Sequence, residues 1–91
     1  MAVNYTDKSI ENNIKKFYAS LNTVNVSSTT GATIYMSKDG EVLYANENSG
    51  VWTFHPMEFG VWTIHGALGQ QTNSTTVNID SISIRTVSLS I

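Results

Sequence analysis

The stretch Gly50–His65 reads GVWTFHPMEFGVWTIH, a six-residue pattern, Gly-Val-Trp-Thr-apolar-His, that occurs twice ten residues apart. Each copy alternates large apolar and polar side chains, the signature of a strand with one buried face. Trp52 and Phe54 share one phase, and Trp62 and Ile64 repeat it. Val51, Thr53, His55 and Val61, Thr63, His65 take the other phase. The four residues Pro56-Met57-Glu58-Phe59 between the copies are few enough to reverse the chain. The expectation is a hairpin whose inner face carries both indoles. Burial in a core suits the shared phase of the indoles with Phe54 and Ile64; the alternative is an exposed aromatic platform for sugars.

Outward from this stretch, the chain continues to read as strands with a turn near every tenth residue. Thr23–Ser28 directs Val24 and Val26 inward, and Thr29-Thr30-Gly31 turns. Ala32–Ser37 places Ile34 and Met36 on one face and Tyr35 on the other. Lys38-Asp39-Gly40-Glu41 is a strong hairpin signal, because Asp and Gly tolerate positive φ. Glu41–Asn46 is apolar on both faces, so its phase stays open, and Glu47–Gly50 reads as a turn. Gly66–Asn73 reads as a flexible crossing, and Ser74–Asp80 as a strand with Val77 and Ile79 inward. In the tail, Ile82 and Ile84 alternate in one phase and Val87, Leu89 and Ile91 in the other, which predicts a bulge or corner at Arg85-Thr86. The final strand lacks the lysine, proline or inward charge that guards a sheet edge. It is expected inside a sheet, with pairing to another chain as the alternative. The expected core is Ile34, Trp52, Phe54, Trp62, Ile64, Val77, Ile79 and Leu89.

One stretch is different. In residues 9–21, Ile10, Ile14, Phe17, Tyr18 and Leu21 form one apolar stripe at helical spacing. Thr6 or Asp7 can cap its start, and Glu11 and Lys15 form an i,i+4 pair. The reading is therefore an N-terminal helical arm over 1–22 and a sandwich over 23–91. The arm either covers its own sandwich or docks on a neighbouring subunit through Ile10, Ile14, Phe17 and Tyr18.

Ninety-one residues suit one small domain. Charged residues are 13%, about half the usual share, while Ser, Thr and Asn make up 31 residues. Such a chain is polar without being charged. With five basic residues and a net charge of −2 it offers no stripe to neutralise phosphates, so nucleic acid is not expected as a partner. No cysteine is present, which removes disulfides and thiolate metal sites. No apolar run reaches the ~20 residues of a membrane span, and the first residues lack the apolar core of a signal peptide.

The strand, the Asp39-Gly40 turn, Gly50-Val51-Trp52-Thr53-Phe54 and Phe59-Gly60-Val61-Trp62-Thr63-Ile64 together resemble transthyretin-like or carboxypeptidase-regulatory-like Ig-type sandwiches. With Ser-Thr-Thr-Val-Asn-Ile at 74–79 and the closing Thr-Val-Ser-Leu-Ser-Ile at 86–91, the pattern looks like the small Ig-like domains of phage and prophage structural proteins. The resemblance spans residues 23–91. It implies an all-β, Ig-like antiparallel sandwich of about seven strands, preceded here by one helix. These are packing and turn motifs, and the family transfers no catalytic residue.

Chemistry is sparse. His55, Glu58 and His65 could face one another as a metal site if the hairpin brings both rings to one face, but the spacing matches no metal motif. No serine lies in a nucleophile context, the carboxylates fall mostly in turns, and no phosphate loop is present. Solvated surface histidines are the plainer reading, with Tyr35, His55 and His65 as candidate partner contacts. No enzyme and no cofactor are expected. The leading expectation is a structural or adhesion module of a virion, made in the cytoplasm without a signal peptide and released by lysis. Its partners would be other assembly proteins and a second copy of itself. The alternatives are a carbohydrate- or cell-surface-binding module using Tyr35, Tyr44 and polar loops, and a small effector that binds a host defence factor.

Overall fold

A computed structural model describes residues 22–91, so the helical stretch and its contact residues Ile10, Ile14, Phe17 and Tyr18 lie outside the described residues. The described part is all β. Its strands are β1 (Thr23–Ser27), β2 (Thr33–Lys38), β3 (Glu41–Tyr44), β4 (Glu47–Asn48), β5 (Val51–Phe54), β6 (Gly60–Leu68), β7 (Gln71–Ile79) and β8 (Ile84–Ser88). They form two four-stranded sheets, ordered β4-β5-β1-β8 and β3-β2-β6-β7. All pairs are antiparallel except β1 with β8, which run parallel.

The core lies between the sheets and comes mainly from the two central strands of each. Val24, Val26, Trp52 and Phe54 enter from one sheet, and Ile34, Met36, Trp62 and Ile64 from the other, each at most 2% exposed. Ala32, Ile79 and Leu89 complete the buried apolar set, and Val77, Val87 and Ile91 pack against it half-buried. Every one of these follows the period-2 rule, so one phase of each strand supplies the interior.

The two tryptophan strands do not form a hairpin. β5 pairs with β1, with Trp52 beside Val26, while β6 pairs with β2 and β7, with Trp62 beside Val77. The segment Pro56–Phe59 therefore crosses from one sheet to the other. Three bonds hold this crossing. Trp62 Nε1 donates to the Glu58 carbonyl at 2.9 Å, Asn22 Nδ2 donates to the Pro56 carbonyl at 3.2 Å, and Arg85 donates to Asn22 Oδ1 at 3.3 Å. Four residues span the ~10 Å between packed sheets as readily as they reverse a chain, so length alone did not separate the two outcomes.

Other expectations also change. Gly66–Asn73 is not a crossing but the middle of the longest hairpin: β6 and β7 are nine residues each, joined at Gly69-Gln70. The Glu47–Gly50 turn contains the two-residue strand β4. No bulge interrupts the tail. Arg85, Val87, Leu89 and Ile91 keep one inward phase, and Ile84 is simply outward, 74% exposed. β8 is an edge strand among the described residues rather than an inner one. The strand count is eight rather than about seven, because the stretch read as the Glu47–Gly50 turn holds the additional two-residue strand β4.

Two glycines are required by position. In the β2–β3 turn, Asp39 has φ 50° and Gly40 φ 84°, the pair of positive values that a two-residue hairpin turn needs. Gly66 is required by closeness. A Cβ there would lie 2.5 Å from Ile91 Cδ1 and 2.7 Å from Leu89 Cδ2, so its bare backbone makes room for the chain's last residues.

Candidate binding face

The outward phase of each strand is as uniform as the inward one. On the β3-β2-β6-β7 sheet the outward positions are Val42 and Tyr44; Thr33, Tyr35 and Ser37; Val61, Thr63, His65 and Ala67; and Thr72, Ser74, Thr76 and Asn78. On the other sheet they are Asn48, Val51, Thr53, Thr23, Asn25, Ser27, Ile84, Thr86 and Ser88. No Asp, Glu, Lys or Arg occupies any of them. The described charges sit at turns, strand ends and the inward phase instead. Lys38 contacts Asp39 at 3.0 Å and Glu58 at 3.5 Å; the Asp39 hydrogen bond, with the Glu58 charge behind it, holds the lysine pKa above its usual value despite partial desolvation. Arg85 binds Asp80 at 3.0 Å.

The register sets one row across the whole β3-β2-β6-β7 sheet: Tyr44, Tyr35, His65, Ser74. Tyr35 and His65 stack with centroids 4.6 Å apart and planes 13° apart, and Tyr44 lies 5.9 Å from Tyr35 at 37°. A stacking distance near the ~4.8 Å strand spacing means that the rings stand upright on the sheet, face to face. They form a wall, not a flat platform. Ser37 and His65 Nε2 share a hydrogen bond of 2.8 Å that fixes the imidazole. Beyond His65 the surface drops to the short side chains of β7. There an open groove of about 410 Å³ runs between Tyr35 and His65 on one side and Thr72, Asn73 and Ser74 on the other. That volume falls within the range of small-molecule sites, and every side chain lining it is neutral or an imidazole.

The opposite sheet carries a second groove, of about 510 Å³, between Asn25, Ser27, Asn48, Ser49, Val51 and Thr86. Thr53 donates to Asn25 at 2.8 Å beside it, and no ring borders it.

The two histidines part company. His55 follows β5, and its Nδ1 lies 3.1 Å from the Asn22 carbonyl and 3.5 Å from the Thr23 hydroxyl. His65 lies on the outer face of the other sheet, so the imagined His-Glu-His cluster does not form. Among the described residues no three of His, Cys, Asp and Glu gather closely enough to hold a metal ion. Trp52 and Trp62 are 2% and 0% exposed, which removes them as a surface platform. The tyrosine–histidine wall takes that position instead. Sequence reading named Tyr35, Tyr44 and His65 separately; it missed Ser37, Thr72, Asn73 and Ser74, because only the register shows which hydroxyls lie beside which ring. Exposed apolar side chains include Met57 and Phe59 in the crossing, Val61 at the start of β6, and Ile82 and Ile84 at the approach to and start of β8. Among the described residues no helix is long and apolar enough to cross a membrane. No family model matches the chain, and no curated protein matches it.

Proposed function

We propose that this chain is a non-enzymatic, Ig-like structural and adhesion module, a phage or prophage virion accessory protein of the capsid-decoration or tail-associated kind. One observation carries the reading: two sheets whose outward positions are almost entirely hydroxyl, amide, aliphatic and aromatic, with charge kept elsewhere. A surface of this kind makes lattice contacts without long-range repulsion between like copies. The strand order supports the Ig-like reading. With β1 to β7 lettered B, C, C′, D, E, F and G, the sheets become D-E-B and C′-C-F-G, the immunoglobulin arrangement. In that lettering β8 flanks B, where strand A ordinarily runs, and no cysteine pair joins B to F. Mass spectrometry of purified particles tests the role. The chain should appear at a fixed stoichiometry; its absence from particles that its genome encodes removes the virion reading.

A second reading, a carbohydrate- or cell-surface-binding module, is favoured by the aromatic wall and its neutral groove. The outer face of His65 and the hydroxyls of Thr72 and Ser74 suit the apolar face and hydroxyl rim of a neutral sugar. A glycan array probed with the parent and with His65→Ala tests it. Hits lost on the substitution support the module; no hit at millimolar sugar removes it.

A further inference from the structure

A sheet edge presents unpaired N–H and C=O groups, and proteins normally guard it with charge, proline, brevity or a bulge. Among the described residues the two sheets have four edges. β4 is two residues long and carries Glu47; β3 is four residues long and begins at Glu41; β8 is five residues long and carries Arg85. β7 differs. Its nine residues, QTNSTTVNI, contain no charge, no proline and no glycine, and they pair with β6 in unbroken register from Gln71 to Ile79.

The direction of its backbone groups follows from the turn. In a two-residue hairpin the closing pair, here Leu68 with Gln71, exchanges both hydrogen bonds. Bonded pairs then recur at every second residue, so Gln71, Asn73, Thr75, Val77 and Ile79 are spent on β6. Thr72, Ser74, Thr76 and Asn78 direct their N–H and C=O groups to an edge that no other strand among the described residues pairs; of these groups the Ser74 N–H already has a local partner, donating to Asn73 Oδ1 at 2.9 Å. These four are spaced symmetrically about Thr75.

We infer that β7 is a self-association edge, at which a second copy of this chain pairs antiparallel, β7 to β7, across a two-fold axis at Thr75. In that register Ser74 faces Thr76 of the other copy, and Thr72 faces Asn78. Each facing pair exchanges two backbone bonds, so all eight outward groups of each strand are used, the Ser74 N–H exchanging its bond to Asn73 Oδ1 for one to the facing carbonyl. The outer-face side chains that meet are hydroxyl with hydroxyl and hydroxyl with amide, pairs that favour strand association. No like charges meet. A shift by two residues in either direction leaves outward groups unpaired, so this register is the one that satisfies the edge completely. The contact is isologous and closes at two copies, joining two four-stranded sheets into one of eight. It also sets the two His65 grooves on one continuous face. The pairing deepens the assembly reading by naming the partner and rests on geometry that does not depend on the virion role.

Sedimentation velocity over a wide concentration range, on the full chain, tests it. The parent should show a concentration-dependent monomer–dimer equilibrium. Thr76→Pro removes one outward N–H and leaves the β6 bonds intact. Symmetry applies the loss twice, so the dissociation constant should rise about tenfold or more. Ser74→Lys with Thr76→Lys should give monomer alone, and mixing that variant with Ser74→Glu plus Thr76→Glu should restore a heterodimer. Thermal unfolding of each variant near that of the parent shows that the fold is kept. A parent that stays monomeric to millimolar concentration, or a dimer indifferent to Thr76→Pro and to the lysine pair, overturns the inference. A chain absent from particles that still dimerises removes only the virion role; a monomer found in particles removes only this pairing.

Discussion

The two copies of Gly-Val-Trp-Thr-apolar-His are nearly the same locally and reach different ends. In β5 the motif makes a four-residue strand that stops at Phe54, and its histidine turns to the backbone of Asn22. In β6 it begins a nine-residue strand, and its histidine joins an aromatic wall above a groove. Both indoles enter the same core from opposite sheets. The alternation of a strand decides which side chains go in. The strand's neighbours decide what the outward ones can do.

The largest effect should come from the indoles themselves. Trp62→Ala is expected to cost roughly 3–5 kcal/mol, through lost burial and the cavity left behind. Trp52→Ala should cost somewhat less, because among the described residues Trp62 alone of the two indoles donates a hydrogen bond, to the Glu58 carbonyl in the crossing. Urea unfolding of both variants measures the difference; equal costs would mean that the Glu58 bond contributes nothing.

Next come two positions where one copy of the motif gains a support that the other lacks. Asn22→Ala removes the buried amide that joins the Pro56 carbonyl to Arg85 beside β5. It should cost about 1–3 kcal/mol, the penalty of leaving such partners unpaired. Gly66→Ala on β6 presses a methyl into Ile91 and Leu89 and should cost about 1–3 kcal/mol by overpacking. For a domain of this size each kcal/mol lowers Tm by about 4–8 °C, so thermal scans resolve both. A Gly66→Ala variant that melts with the parent would show that the last residues do not pack there.

The smallest effect on stability should come from the histidines, and it sharpens the comparison most. His55→Ala and His65→Ala should each change stability by less than about 1 kcal/mol, as surface substitutions generally do. They should differ in spectroscopy. Only His65→Ala unstacks Tyr35, so only it should move the Tyr35 ring resonances. Equal shifts for both would contradict the wall.

Much of the architecture was legible in the chain. Val24, Val26, Ile34 and Met36 are inward as their alternation requires, and the Asp39-Gly40 turn lies where its positive-φ residues allow it. What the sequence hid was non-local. Pro56–Phe59 has a length that serves reversal and crossing equally. Gly66, Gly69 and two glutamines disguised a hairpin as a loop, because the glycine at 66 answers to Ile91 and Leu89, far along the chain. The apparent slip in the tail arose because Ile82 and Ile84 are apolar yet outward, 40% and 74% exposed. The candidate site was legible only in parts. Tyr35, Tyr44 and His65 come from three strands, and nothing local announces that they share a row.

The separation of the twin tryptophan strands into facing sheets is most directly tested by interstrand NOEs in solution. Backbone contacts of Trp52 with Val26, of Trp62 with Val77 and of Thr63 with Ser37 are expected. A ladder of contacts running directly between residues 51–54 and 61–64 would restore the hairpin and contradict the two-sheet arrangement.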